Sequence, residues 1–75
     1  MSIADVEHAG PFSRYDKMTR IITVIEGESV VLTVDGTTET LERHRPFTFD
    51  GGAETRADLP HGPIRDLNLI ARTDV

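Results

Sequence analysis

Short β-branched runs, closely punctuated by turn residues, leave this chain little to fold into except sheet. IITVI (21–25) and VVLTV (30–34) are built from Ile, Val, Thr and Leu. Their stiff side chains favour the extended backbone and pack on a pleated surface. Both runs are apolar nearly throughout, which predicts strands covered on both faces. The link between them, Glu26-Gly27-Glu28-Ser29, reads as the four-residue loop of an antiparallel hairpin. No window of eleven or more residues spaces its apolar positions at helical intervals.

Turn chemistry sets the remaining divisions. Asp35-Gly36 tolerates positive φ and predicts a tight hairpin. TTETLE (37–42), mostly polar, follows as an edge strand. Pro46 has no N–H to give a ladder, so it marks a strand start ahead of FTF (47–49). Asp50-Gly51-Gly52 turns the chain into AETRADL (53–59). There Ala53, Thr55, Ala57 and Leu59 share one face, and Glu54, Arg56 and Asp58 the wet one. Pro60, Gly62 and Pro63 make the last turn before a closing strand. SIADV (2–6) is a weaker strand, and residues 7–19 read as a long loop. The expectation is six or seven short strands in one all-β domain over residues 1–75, as a barrel or sandwich.

Composition narrows the function classes. Thirteen acidic residues against eight basic ones give a net charge of −5, with no basic cluster to meet nucleic acid. No apolar run approaches the ~20 residues of a bilayer span, so no membrane partner is expected. The first ten residues do not read as a signal peptide, which leaves the cytoplasm as the expected location. Cysteine is absent, so neither disulfides nor a thiolate zinc site can support so small a core. Seven of the eight basic residues are Arg, whose planar fork suits carboxylates; surface ion pairing is the plainer use.

The closing strand, HGPIRDLNLI (61–70), carries the one anomaly. Side chains on a strand alternate faces, so Asp66, Asn68 and Ile70 point one way and Arg65, Leu67 and Leu69 the other. If the first face lines the interior, a carboxylate and an amide lie inside the fold, where they are costly unless hydrogen-bonded. Either they form a buried network, with Asp66 reaching Arg20 or loop amides, or they open onto a pocket. Other chemistry is thin. His8, His44 and His61 stand apart with no His-x-His pair, so neither a metal site nor a cofactor is expected. Ser13, His8 and Asp16 would make a triad in composition only, since all three fall in one loop. Phe12, Tyr15, Phe47 and Phe49 supply the aromatic area, with core packing as their default role.

The order of short motifs resembles a known family. SIADVEHAGPFSRYDKMTRIITVIEGESVVLTVDG, then RPFTFDGG, then GPIRDLNLIAR is similar to the HutD/Ves family of small cupins. The resemblance implies a cupin-like (RmlC-like jelly-roll) β-barrel in a bacterial cytoplasmic protein. It implies a link to histidine utilisation through a small acidic or imidazole-derived metabolite, and it brings no established reaction. Family members are longer and open with a Trp-x-Asn-Gly-Gly segment, so this chain corresponds to their middle and predicts a partial barrel. Arg65 stands where the second cupin motif would place a metal-binding His. Asp66 and Asn68 are then expected to orient a small-molecule ligand and Arg20 or Arg65 to meet its charge, while Phe12, whose alternative role is to plug the barrel mouth, and Ser13 border it. An alternative is an interaction module that completes its barrel as a homodimer through an open sheet edge. A metal-dependent cupin enzyme is a third.

Overall fold

The computed structural model describes residues 2–72. They form eight strands and no helix: β1 (Ser2–Val6), β2 (Gly10–Pro11), β3 (Met18–Glu26), β4 (Ser29–Val34), β5 (Thr37–Glu42), β6 (Phe47–Asp50), β7 (Thr55–Asp58) and β8 (Ile64–Arg72). One sheet has the order β1-β8-β3-β6 and the other β2-β7-β4-β5, with every pairing antiparallel. The all-β expectation holds. Two strand assignments change: Gly10-Pro11 pairs with β7 inside the stretch read as loop, and β3 begins at Met18, three residues before the apolar run.

The expected hairpin between IITVI and VVLTV does not form. β3 and β4 lie in different sheets, so the link between them carries the chain from one layer to the other. The register slips between Val24 and Glu26, leaving Ile25 as a bulge that bends β3 toward the crossing. Gly27 then turns the chain at φ 94°. A Cβ there would lie 2.8 Å from Ile64 Cγ2 and 2.9 Å from the Pro63 carbonyl oxygen, so glycine is required by space as well as by angle. The Asp35-Gly36 hairpin does form, with both residues at positive φ, and β5 takes the edge of its sheet as expected.

The core lies between the two sheets. Ile22, Val24 and Phe49 project from one layer and meet Val30, Leu32, Leu41 and Ala57 from the other. Leu32 and Val24 are fully buried, and burying such a side chain is worth about 1.5–3 kcal/mol. Along residues 53–58, Ala53, Thr55 and Ala57 turn inward while Glu54, Arg56 and Asp58 stay wet, as the alternation predicts. The outward faces are less covered than the apolar runs suggest. Ile21, Ile25 and Val31 are half-buried, and Ile3 and Leu69 are exposed.

Candidate functional site

The inner face of the first sheet stops being a simple core where β8 crosses its middle. Ile64 and Asp66 are buried, Asn68 and Ile70 are half-buried on the same side, and Arg65 and Leu69 are exposed on the other. β8 lies between β1 and β3, so Asp66 is flanked by Ala4 and Val24, and Asn68 by Ser2 and Ile22. On β3 the same alternation sends Arg20 inward with Ile22 and Val24. Arg20 stands opposite Ile70 on one side and Phe49 on the other. Three polar side chains thus share one interior face.

The segment after β2 roofs this face and is itself tied down. The Phe12 amide donates to the Thr55 carbonyl at 2.8 Å. The Tyr15 amide donates to the Gly51 carbonyl, and the Gly51 amide to the Met18 carbonyl, both at 2.7 Å. Gly51 is buried in this lock. A Cβ on it would lie 2.8 Å from the Tyr15 carbonyl oxygen, 2.9 Å from that of Met18 and 3.2 Å from Arg20 Cγ. The result is an open cleft of about 260 Å³. Arg20, Asp66 and Asn68 contribute its charge and hydrogen bonding, Phe12, Ser13 and Tyr15 border it, and Ala4, Val6, Pro11 and Ile22 supply apolar wall.

Arg20 is held unusually for a cation. It is only 5% exposed, and its guanidinium carbon lies 5.4 Å from the Phe12 ring centre, 5.2 Å from that of Tyr15 and 5.3 Å from that of Phe49. Rings at this distance attract the cation and shield it from water. Its Nη1 donates to the Ser13 carbonyl over a long 3.4 Å, and Nε has no partner. Desolvation lowers the Arg20 pKa, offset in part by Tyr15 and Asp66. Asp66 is 3% exposed, and burial raises its pKa against the pull of Arg20, with Asp5 adding to the rise. Asp66 Oδ1 and Asn68 Oδ1 also lack partners. A buried polar group left unpaired costs about 1–3 kcal/mol, and here the three residues that carry such atoms line one cleft.

Five of the six residues expected at a binding site therefore come together: Asp66, Asn68, Arg20, Phe12 and Ser13. Arg65 does not join them. Strand alternation turns it to the outer face, where its Nε donates to Asp5 Oδ1 at 2.8 Å and Nη1 lies 3.6 Å from Glu26 Oε2. A second cleft, of about 290 Å³, opens there beside Asp5, Glu7 and Glu26. Its Arg65 is already engaged by two of those carboxylates, so it offers a ligand less than the interior cleft does. Tyr15 lines the cleft and Phe49 packs against Arg20; both were read only as packing residues. The signal for Phe49 was its same-face alternation with Phe47 beside an inward strand.

The other chemistries do not assemble. Among the described residues no group of three or more His, Asp or Glu side chains could hold a metal ion. His61 Nδ1 lies 3.4 Å from Glu28, and the His44 backbone amide donates to the Val24 carbonyl. No hydrogen bond among the described residues joins Ser13, His8 and Asp16. Ser13 gives its carbonyl to Arg20, and Asp16 lies against Gly52. Among these residues no helix is long and apolar enough to cross a membrane.

Comparison with known proteins is consistent throughout. The family model described as HutD matches residues 1–75. Protein Ves of Citrobacter koseri is 43% identical over 75 residues, covering 97% of this chain and 39% of that protein. A 21.2 kDa protein encoded in the hutC 3′ region of Pseudomonas putida is 42% identical over 71 residues, covering 93% of this chain and 37% of its own. The structure of HutD from Pseudomonas fluorescens SBW25 superposes with a TM-score of 0.91 at 45% identity, over 93% of this chain and 39% of that one. The cupin domain of Schizosaccharomyces pombe Cnp3 reaches a TM-score of 0.75 at 11% identity, over 93% of this chain and 53% of that one, a likeness of fold. The chain spans about two-fifths of the length of the relatives it matches.

Proposed function

Starting from the HutD family, to which this chain belongs, and from its interior cleft, we propose that the protein is a non-enzymatic, cupin-like binder of a small acidic or imidazole-derived metabolite. The observation that carries this reading is that three side chains, each with an unpartnered buried polar atom (Arg20 Nε, Asp66 Oδ1 and Asn68 Oδ1), line one cleft. In this reading Arg20 meets the ligand's negative charge, Asp66 and Asn68 accept from its donors, and Phe12 and Ser13 border it. Specificity follows because a ligand lacking those groups leaves the protein's buried ones unpaired. The cleft is smaller than the ~300 Å³ lower bound of drug-sized pockets, which suits a metabolite.

The biological setting we propose is the bacterial cytoplasm, with metabolite binding moderating histidine utilisation; the gene context of the Pseudomonas putida relative supports it. Thermal-shift and calorimetric titration with intermediates of histidine breakdown, urocanate included, tests the reading. Saturable stabilisation that Asp66→Asn and Arg20→Gln weaken, in variants shown by circular dichroism to be folded, is expected. A flat response to every intermediate would refute it.

One observation favours a second reading, self-association through β5. This strand forms a sheet edge, and Thr37, Thr38, Glu39 and Thr40 are all exposed. An open edge can add a strand from a second copy, although Glu39 and Glu42 blunt it. Light scattering behind size exclusion decides: a dimer lost on Thr38→Pro supports edge pairing, and a monomer at high concentration removes it.

A further inference from the structure

We infer that the cleft selects ligands carrying a free ammonium group beside a carboxylate, the chemistry of an unmodified α-amino acid. This rests on the reading of the cleft as a binding site and narrows it to one ligand class.

The polar side chains that line the cleft are not those of a simple anion site. One orphan atom is a donor on a cation, Arg20 Nε. The other two are acceptors, Asp66 Oδ1 and Asn68 Oδ1. A bare carboxylate satisfies the first and leaves both acceptors unpaired, with the Asp66 charge opposing it. A bare amine satisfies the acceptors and is opposed by Arg20. A zwitterion answers all three. Its ammonium has three donors, enough for Asp66 and Asn68 together, and its carboxylate can take the guanidinium edge.

Two further features support the assignment. Arg20 and Asp66 are each at least 95% buried, yet no ion pair is formed between them. Each sits in a poorly solvated place, where it feels the other's charge at a distance and would feel an opposite charge from a ligand strongly. The rings of Phe12, Tyr15 and Phe49 crowd the guanidinium, which limits how it can be approached. A planar carboxylate meeting the guanidinium edge in its own plane fits that limit. The apolar wall of Ala4, Val6 and Ile22 is then left to the amino acid's own side chain.

The test is calorimetric titration of the folded protein with the common L-α-amino acids, with urocanate and glutarate, and with the desamino and N-acetyl counterparts of each amino acid that binds. Binding of at least one free amino acid is expected. Loss or acetylation of its amino group should weaken affinity by about 30-fold or more, in line with removing a charged hydrogen bond. In Asp66→Asn that ratio should collapse toward unity. If desamino or N-acetyl compounds bind as tightly as the amino acids, or if urocanate or glutarate binds and no amino acid does, the inference falls while the metabolite reading stands. If no compound of any kind binds, both fall.

Discussion

Replacing Gly51 with alanine is a test of how the cleft is built, because the residue is buried and offers no side-chain chemistry. Gly51 is not in the left-handed region, so alanine's backbone preference is not at issue. The effect is one of space. The new methyl would lie 2.8 Å and 2.9 Å from two backbone oxygens, those of Tyr15 and Met18, and 3.2 Å from Arg20 Cγ. Backbone oxygens cannot swing away as a side-chain tip can, so the roof must lift. The two 2.7 Å hydrogen bonds that join Gly51 to Tyr15 and Met18 would lengthen or break. At about 0.5–1.5 kcal/mol each, their loss predicts a destabilisation of about 1–3 kcal/mol. For a domain of this size each kcal/mol lowers the melting temperature by about 4–8 °C. Urea denaturation followed by circular dichroism reads the loss. The chain has one tyrosine and no tryptophan, so its intrinsic fluorescence reports Tyr15 at the roof itself and should change in the folded variant. Gly52→Ala is the internal control. Its methyl would meet the movable carboxylates of Asp16 and Asp50 at 3.1 Å and 3.4 Å, so it should cost little. If the two variants unfold within about 0.5 kcal/mol of each other, the margin expected of an inconsequential substitution, the account of a locked roof is wrong.

Other expectations can be checked alongside it. Leu32→Ala, which opens a cavity at a fully buried position, should cost about 2–5 kcal/mol in denaturant unfolding. For Asp66 the sign follows from its raised pKa: its carboxyl favours the folded state at pH below the ordinary 3.8, and that advantage is lost as pH rises through the elevated folded value. The stability of Asp66→Asn relative to the parent should therefore climb from acid toward neutral pH and then level off, with Arg20 as the group that limits the gain and Asp5 as one that adds to it. Arg65→Ala removes an exposed pair with Asp5 and Glu26, so it should leave ligand affinity unchanged, with a small stability effect that fades in high salt.

Much of this was legible in the residues, and what was not has a physical reason. Period-two alternation placed Asp66 and Asn68 on one face and Arg65 on the other, and the structure follows it. Asp35-Gly36 named its own turn because the conformation it adopts is written in those two residue types. The failed hairpin between β3 and β4 shows the limit. A glycine-bearing link serves a tight hairpin and a crossing between layers equally well, and only the partners of each strand decide. Gly10-Pro11 escaped notice because two residues give no period to detect. Arg20 was found, but its ring of three aromatics was not, since Phe12, Tyr15 and Phe49 come from a loop and a different strand. That enclosure is a product of the tertiary fold.

β8 is the last of the described strands, yet it lies between β1 and β3 rather than at the sheet's rim. A chain emerging from the ribosome can join β4 to β5 early, but β1 has no described partner other than β8. β1 must wait for a strand that follows six others, a long-range closure of the kind that slows folding. Asp66 and Asn68 ride on that late insertion, so the cleft is completed at the same moment as the sheet. An intermediate that lacks β8 has neither Asp66 nor Asn68 in place, so the proposed binding would begin only once β8 has docked.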